Sequence, residues 1–184
     1  MVRVHQGPPR NSCFSTLYFL YLDIKGYDMN VWYLHGLESS VGGPKVDFLK
    51  TLAEDVFAPK MDYTNPNLFK ALLATAKIDK PDLIIGSSMG GYFADALGSH
   101  LDIEVLLFNP ALHSRSIEPE GVTYGETNWK RNFVVGTEDD VIDPKATRIY
   151  KDLAKSWTEV KGMAHRTPLN IFTDIYNKWN LKQL

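Results

Sequence analysis

The chain has 184 residues, 20 Lys plus Arg against 22 Asp plus Glu, a formal net charge of −2, and 44% hydrophobic and 12% aromatic residues. That is enough apolar material for one domain with a sizeable core, and it differs from the low-hydrophobicity, high-charge composition of disordered chains. A near-neutral balance with no long run of either sign gives no electrostatic hold on nucleic acid. The longest apolar candidate, about ten residues around 14–22, falls well short of the ~18 needed to span a bilayer.

The single cysteine, Cys13, can close no intrachain disulfide and build no cysteine-rich zinc site. With no small-residue cleavage pattern after the leading apolar run, the expected location is the cytoplasm. Residues 1–28 open with the polar, Pro/Gly-bearing "MVRVHQGPPRNS", whereas regular patterning starts at Met29. The expected division is an N-terminal extension over 1–28 and one domain over 29–184. Its alternative is that "FSTLYFLYLDI" packs on the core as an edge strand or helix, since an exposed aromatic run is unfavourable.

From Met29 onward, short β-branched apolar runs alternate with longer segments of helical periodicity. Strands are expected in "NVWYLHG", near "VFAPKMD", and in "DLIIGSS", "EVLLFNPAL", "NFVVGTE" and "SWTEVKG". Most are too continuously apolar for a sheet with one wet face, so they read as buried parallel strands. Helices are expected from Pro44, Pro66 and Pro144, where proline suits the first helical turn, with Asn65 and Asp143 as caps. Two more should follow Gly91 and Thr167. The expected architecture is α/β, a mostly parallel central sheet with helices on both faces and no large lid domain.

The stretch "DLIIGSSMGGYFADALG" contains G-x-S-x-G as Gly86, Ser87, Ser88, Met89 and Gly90. The letters alone are a weak signal, and the alternative is a Gly/Ser turn leading into an ordinary helix. Their place between a buried strand and a helix is the stronger point, because a sharp turn there exposes the Ser88 hydroxyl above the sheet. A serine hydroxyl is a weak nucleophile, so it needs a base within reach and a carboxylate to orient that base. Asp139 follows one buried strand in "GTEDDVIDP" and His165 follows the next in "VKGMAHR", giving the chain order Ser, Asp, His expected on an α/β-hydrolase sheet.

Among neighbouring carboxylates, Asp140 would point elsewhere on an extended loop, Asp143 is more economically a helix cap, and Glu138 is a weaker candidate. The competing reading of His165 is a surface loop histidine. His5 and His100 have no supporting context, and His113 follows a strand end. Acyl transfer also needs N–H donors for the developing oxyanion, expected at Met89, directly after the serine, and at Leu37 in "YLHGLESS". His35 and Gly36 would shape that loop, with His35 more structural than catalytic. Expected pocket residues are His35, Leu37, Phe108, Leu112 and Met163, together with the irregular segment 113–130 carrying Tyr124 and Trp129.

"YLHGLESS", "GSSMGGYFA", "FNPA", "GTEDDVID" and "GMAHR", in this order over roughly residues 30–180, resemble the small bacterial α/β-hydrolases of the YqiA-type esterase family. The resemblance implies a compact hydrolase with esterase or thioesterase activity on a small-molecule acyl substrate. It implies Ser88 as nucleophile, Asp139 as acid, His165 as base, and Leu37 and Met89 at the oxyanion hole. "GMAHR" departs from the relatives, which commonly carry an aromatic residue shortly after the histidine.

No cofactor is expected. "SVGGPK" lacks the phosphate-loop arrangement, no G-x-G-x-x-G occurs, and no histidine pair has metal-ligand spacing, so no metal is assigned. The rival from another class is a non-catalytic α/β-hydrolase-fold protein that binds a ligand or partner, because a fold does not fix a function. Oligomeric state is left open.

Overall fold

The computed structural model describes residues 29–37, 39, 41–127 and 129–181. The expected extension over residues 1–28 lies outside them. Six strands form one sheet: β1 (Asn30–Leu34), β2 (Asp55–Phe57), β3 (Leu83–Ser87), β4 (Glu104–Phe108), β5 (Arg131–Gly136) and β6 (Ser156–Val160). They lie in the order β2-β1-β3-β4-β5-β6, and every neighbouring pair is parallel. The chain leaves β1 toward one edge and returns past it to β3, so the order reverses between β1 and β3. Such a switch point is where open parallel sheets place their functional crevice, at the carboxyl ends of the strands.

Alternation along the strands splits the core into two layers. Trp32, Leu34, Ile84, Val105, Leu107, Phe133 and Val135 face one side and pack with Phe69, Leu72, Phe93 and Leu97. Val31, Tyr33, Leu83, Ile85, Leu106, Phe108 and Val134 face the other and pack with Val46, Leu49, Phe172, Tyr176 and Trp179. The first layer is covered by α2 (Leu68–Asp79) and α3 (Met89–Leu101), the second by α1 (Pro44–Leu49) and α5 (Leu169–Asn180). Burial on both faces is why these strands read as unbroken apolar runs.

Helix starts follow the local chemistry with two shifts. Pro44 and Pro144 open α1 and the short α4 (Pro144–Thr147) as expected, and Asp143 caps α4 by accepting from the Lys145 N–H at 2.9 Å. After Pro66 the helix begins at Leu68 instead. Asn65 folds the preceding residues into a turn, its side chain accepting from Asn67 N–H at 2.9 Å and its carbonyl from Leu68 N–H at 3.0 Å. Helix α3 begins two residues before Gly91, at Met89, because the Ser88 carbonyl already accepts from Gly91 and Tyr92.

Helix α3 is buried all round from Met89 to Ser99. Tyr124 and Trp129 of the segment 113–130, expected to line the pocket, instead cover its outer side. Asp95 on α3 is 1% exposed and accepts from Trp129 Nε1 and Arg131 Nε at 2.8 Å and from the Tyr124 hydroxyl at 3.1 Å. A buried carboxylate is tolerable when paired and fully hydrogen-bonded in this way. Tyr124 and Trp129 are therefore tied down over the helix rather than free to act as a lid.

Phe172 of α5 is fully buried against Phe108, with ring centroids 5.0 Å apart, and meets Tyr33 edge-on at 5.9 Å. Phe172→Ala should therefore lower unfolding free energy by about 3–5 kcal/mol. Ile78→Ala, at a site 85% exposed, should change it by less than about 0.5 kcal/mol. Urea denaturation of both variants checks the contrast, and equal effects would contradict this assignment of the core.

Candidate active site

Ser88 occupies the turn from β3 into α3 with φ 54° and ψ −119°, a conformation non-glycine residues rarely adopt. Such a backbone costs on the order of 1–3 kcal/mol and is held by its surroundings. The Ser88 N–H donates to the Phe108 carbonyl at 3.0 Å, and the Ser88 carbonyl accepts from Ala111 N–H at 3.0 Å. The flanking glycines make the turn possible. A Cβ on Gly86 would lie 2.6 Å from Gly91 Cα, and one on Gly90 would lie 2.6 Å from the His35 carbonyl oxygen and overlap that of Leu34. Helix α3 can thus press onto β3 and onto the end of β1 only if both positions lack a side chain.

The His165 ring lies against this serine. Its Nε2 is 2.9 Å from Ser88 Oγ, and its Nδ1 is 3.0 Å from both carboxylate oxygens of Asp139. Asp139 sits in the loop after β5, with a side chain only 1% exposed, whereas Glu138 and Asp140 on either side are exposed. Its Oδ1 also accepts from the N–H groups of Val141 at 2.9 Å and Ile142 at 2.8 Å. Burial by itself would raise this carboxyl, and it is the largest single influence. The hydrogen bonds from His165, Ile142 and Val141 together outweigh it and hold the group below its ordinary value.

Two further groups brace the loops around the site, and sequence reasoning did not single them out. Asn109, 1% exposed and with φ 44°, donates from Nδ2 to the carbonyls of Ala164 at 3.1 Å and His165 at 3.0 Å. Its Oδ1 accepts from Gly136 N–H at 2.7 Å. One side chain therefore ties the end of β4 to the end of β5 and to the loop that carries His165. Its signal was the polar Asn closing the apolar run "VLLF" in "FNPA". Tyr63 is the other, donating its hydroxyl to the His35 carbonyl behind the loop after β1.

That loop lies directly against the serine, since a Cβ on Gly36 would stand 3.2 Å from Ser88 Cβ. The backbone N–H groups of Leu37 and Met89, expected as oxyanion donors, have no hydrogen-bond partner among the described residues. For Met89 this follows from its place at the start of α3, where N–H groups have no carbonyl one turn back.

A cavity of about 370 Å³ opens beside Ser88 and His165, walled by Tyr33, Leu37, Lys45, Val141 and Thr167 among others. Of the five residues expected singly in the pocket, only Leu37 lines it. Phe108 is fully buried beneath α5, and Met163 and Leu112 are core residues at 2% and 9% exposure. His35 is buried as well, with its ring engaged by the Gly36 carbonyl at 2.8 Å and the Met61 N–H at 3.4 Å. Strand alternation turns Phe108 under α5, Leu112 and Met163 pack into the core layers from loops, and His35 is buried against Met61 behind its own loop. Of segment 113–130, Ser116 reaches the cavity.

The sequence profile of the uncharacterised protein family UPF0227 matches residues 30–156. No curated protein matches the chain. Among solved structures, the chain resembles a putative hydrolase of the α/β superfamily from Xanthomonas campestris pv. campestris. The two are 15% identical with a TM-score of 0.67, and the match covers 84% of this chain and 98% of the other. It likewise resembles a monoacylglycerol lipase from Paleococcus ferrophilus (15% identity, TM-score 0.65, 86% and 97% covered). A third likeness is to Est1E from Butyrivibrio proteoclasticus (14% identity, TM-score 0.64, 85% and 88% covered). The fold is that of the α/β hydrolases. Among the described residues no helix is long and apolar enough to cross a membrane.

The lowered Asp139 carboxyl has a consequence for stability. Because its folded value lies below its unfolded one, near 4, Asp139 stabilises the fold above that pH, and the contribution is lost as pH falls through the folded value. The stability advantage of wild type over Asp139→Asn should accordingly be largest at pH 6–7 and shrink on acidification to about pH 3. Urea midpoints measured across that range check it, and an advantage that grew in acid would contradict the charge-stabilising contacts described.

Proposed function

Because the chain belongs to the uncharacterised protein family UPF0227 and joins a serine hydroxyl, an imidazole and a buried carboxylate at the end of its sheet, we propose that it is a serine hydrolase acting on a carboxylic ester or thioester. The observation that carries this reading is the 2.9 Å approach of His165 Nε2 to Ser88 Oγ with Nδ1 engaged by Asp139. With Nδ1–H donating to the carboxylate, Nε2 is the proton acceptor, which is the tautomer a base for serine requires. Est1E and the monoacylglycerol lipase share the fold and lend support from outside the chain.

In the proposed reaction Ser88 Oγ bonds to the acyl carbon as His165 takes its proton. The negative charge gathers on the former carbonyl oxygen, where the Leu37 and Met89 N–H groups receive it. Collapse of this intermediate breaks the bond to the alcohol or thiol, which departs with the proton from His165 and leaves an acyl-serine. Water then attacks the acyl carbon, gives a proton to His165, and the acid is released as Ser88 regains its hydrogen. Asp139 holds the ring in place and stabilises its charged form throughout. The accompanying assignments are a small acyl substrate, a catalytic domain over 29–184 and a cytoplasmic setting.

A rate series over short acyl esters tests the proposal. Ser88→Ala should lose at least about a thousandfold in kcat, and Asp139→Asn about 10⁴-fold through the wrong tautomer. Asp140→Asn, at an exposed neighbour, should stay within about twofold of wild type. Full turnover by Ser88→Ala, or a larger loss at Asp140 than at Asp139, would overturn the assignment.

A further inference from the structure

The cavity carries a second polar cluster that acyl transfer itself does not use. Lys45 of α1 lines it, with its ammonium 5.5 Å from the centre of the Phe172 ring. Among the described residues no carboxylate pairs with Lys45, and none contributes to the cavity wall. Thr167 lines the same cavity at 5% exposure, and its Oγ1 is buried without a hydrogen bond. Tyr33 lines it at 7% exposure, and its hydroxyl likewise has no hydrogen-bond partner among the described residues.

An unpaired ammonium held partly away from water is unfavourable, as is a buried hydroxyl without a partner. Burial lowers Lys45 below an ordinary lysine and pushes Tyr33 up to about 12, so the phenol keeps its proton for donation. One ligand type suits all three groups, an oxygen anion, which accepts from an ammonium and from hydroxyls alike. A purely apolar acyl chain would leave them unsatisfied.

We propose that the substrate carries an oxyanion, a carboxylate or a phosphate, bound by Lys45 with the hydroxyls of Tyr33 and Thr167 in the cavity beside Ser88. The proposal rests on the ester-hydrolase reading and narrows it to acidic esters. Lys45 fixes the charged group and thereby selects the substrate, while Ser88 and His165 carry out the chemistry.

The test compares kcat/KM within two matched pairs by pH-stat. Ethyl hydrogen succinate against ethyl pentanoate places a carboxylate on the acyl side. 2-Phosphoethyl butyrate against ethyl butyrate places a phosphate on the alcohol side. Wild type should favour the anionic member of at least one pair by about tenfold or more, and the pair that shows it identifies the source of the anion. The ratio should collapse toward one in Lys45→Met, return in large part in Lys45→Arg, fall in Thr167→Val, and persist in Lys178→Met on the exposed side of α5.

Equal or better use of the neutral esters in both pairs, with turnover still abolished by Ser88→Ala, would overturn the anion site and leave the hydrolase reading standing. A preference that persists in folded Lys45→Met would overturn it too. Failure to hydrolyse any of the four esters would overturn both readings.

Discussion

The contact on which the structure turns is the backbone crossing between the end of β1 and the start of α3. Gly90 lies so close to the carbonyls of Leu34 and His35 that no side chain fits, and Gly86 is pressed equally hard by the first turn of the same helix. This crossing forces the chain through a sharp turn at Ser88 and holds it at positive φ. It also brings the loop after β1, with Leu37, against the serine that Met89 follows. A longer, relaxed turn would leave the hydroxyl and that loop with no fixed relation to each other.

The parallel sheet supplies the rest. All six strands end on the same side, so the loops after β1, β3, β5 and β6 converge there without a dedicated domain to gather them. Convergence alone would leave mobile loops, and Asn109 adds the restraint. It sits one residue past β4, between the strands carrying Ser88 and Asp139, and its amide reaches the backbone of Gly136, Ala164 and His165. Asp139 is fixed in turn by two N–H groups of its own loop. The imidazole is thus placed from its backbone by Asn109 and from its ring by Asp139, a division of labour that suits the proposed base, whose orientation must be set before substrate binds.

Much of this was legible in the chain itself, because it depends on local rules. Apolar runs such as "DLIIG" and "NFVVG" announce strands buried on both faces, and Gly-x-Ser-x-Gly between a strand and a helix announces the turn at Ser88. That Asp139 rather than Asp140 meets His165 also follows locally, since successive residues of the loop face opposite ways. The cavity wall did not follow. Phe108, Leu112, Met163 and His35 stand near the site in sequence, yet the first three pack into the core and His35 is buried behind its loop, while Lys45, Tyr33 and Thr167 reach the cavity from separate elements. The aromatic residues of segment 113–130 lie elsewhere for the same reason, although its Ser116 does reach the cavity. These aromatic residues are claimed by the buried carboxylate of Asp95, a long-range demand with no local signature.

The central claim is that Ser88 is an activated nucleophile. Intact-protein mass spectrometry after exposure to a fluorophosphonate tests it most directly, since the reagent bonds to a serine whose hydroxyl is deprotonated by a neighbouring base and needs no knowledge of the substrate. The account predicts one adduct on the wild-type chain and none on Ser88→Ala. A well-folded wild-type protein that stays unmodified, or an adduct that survives the substitution, would contradict it.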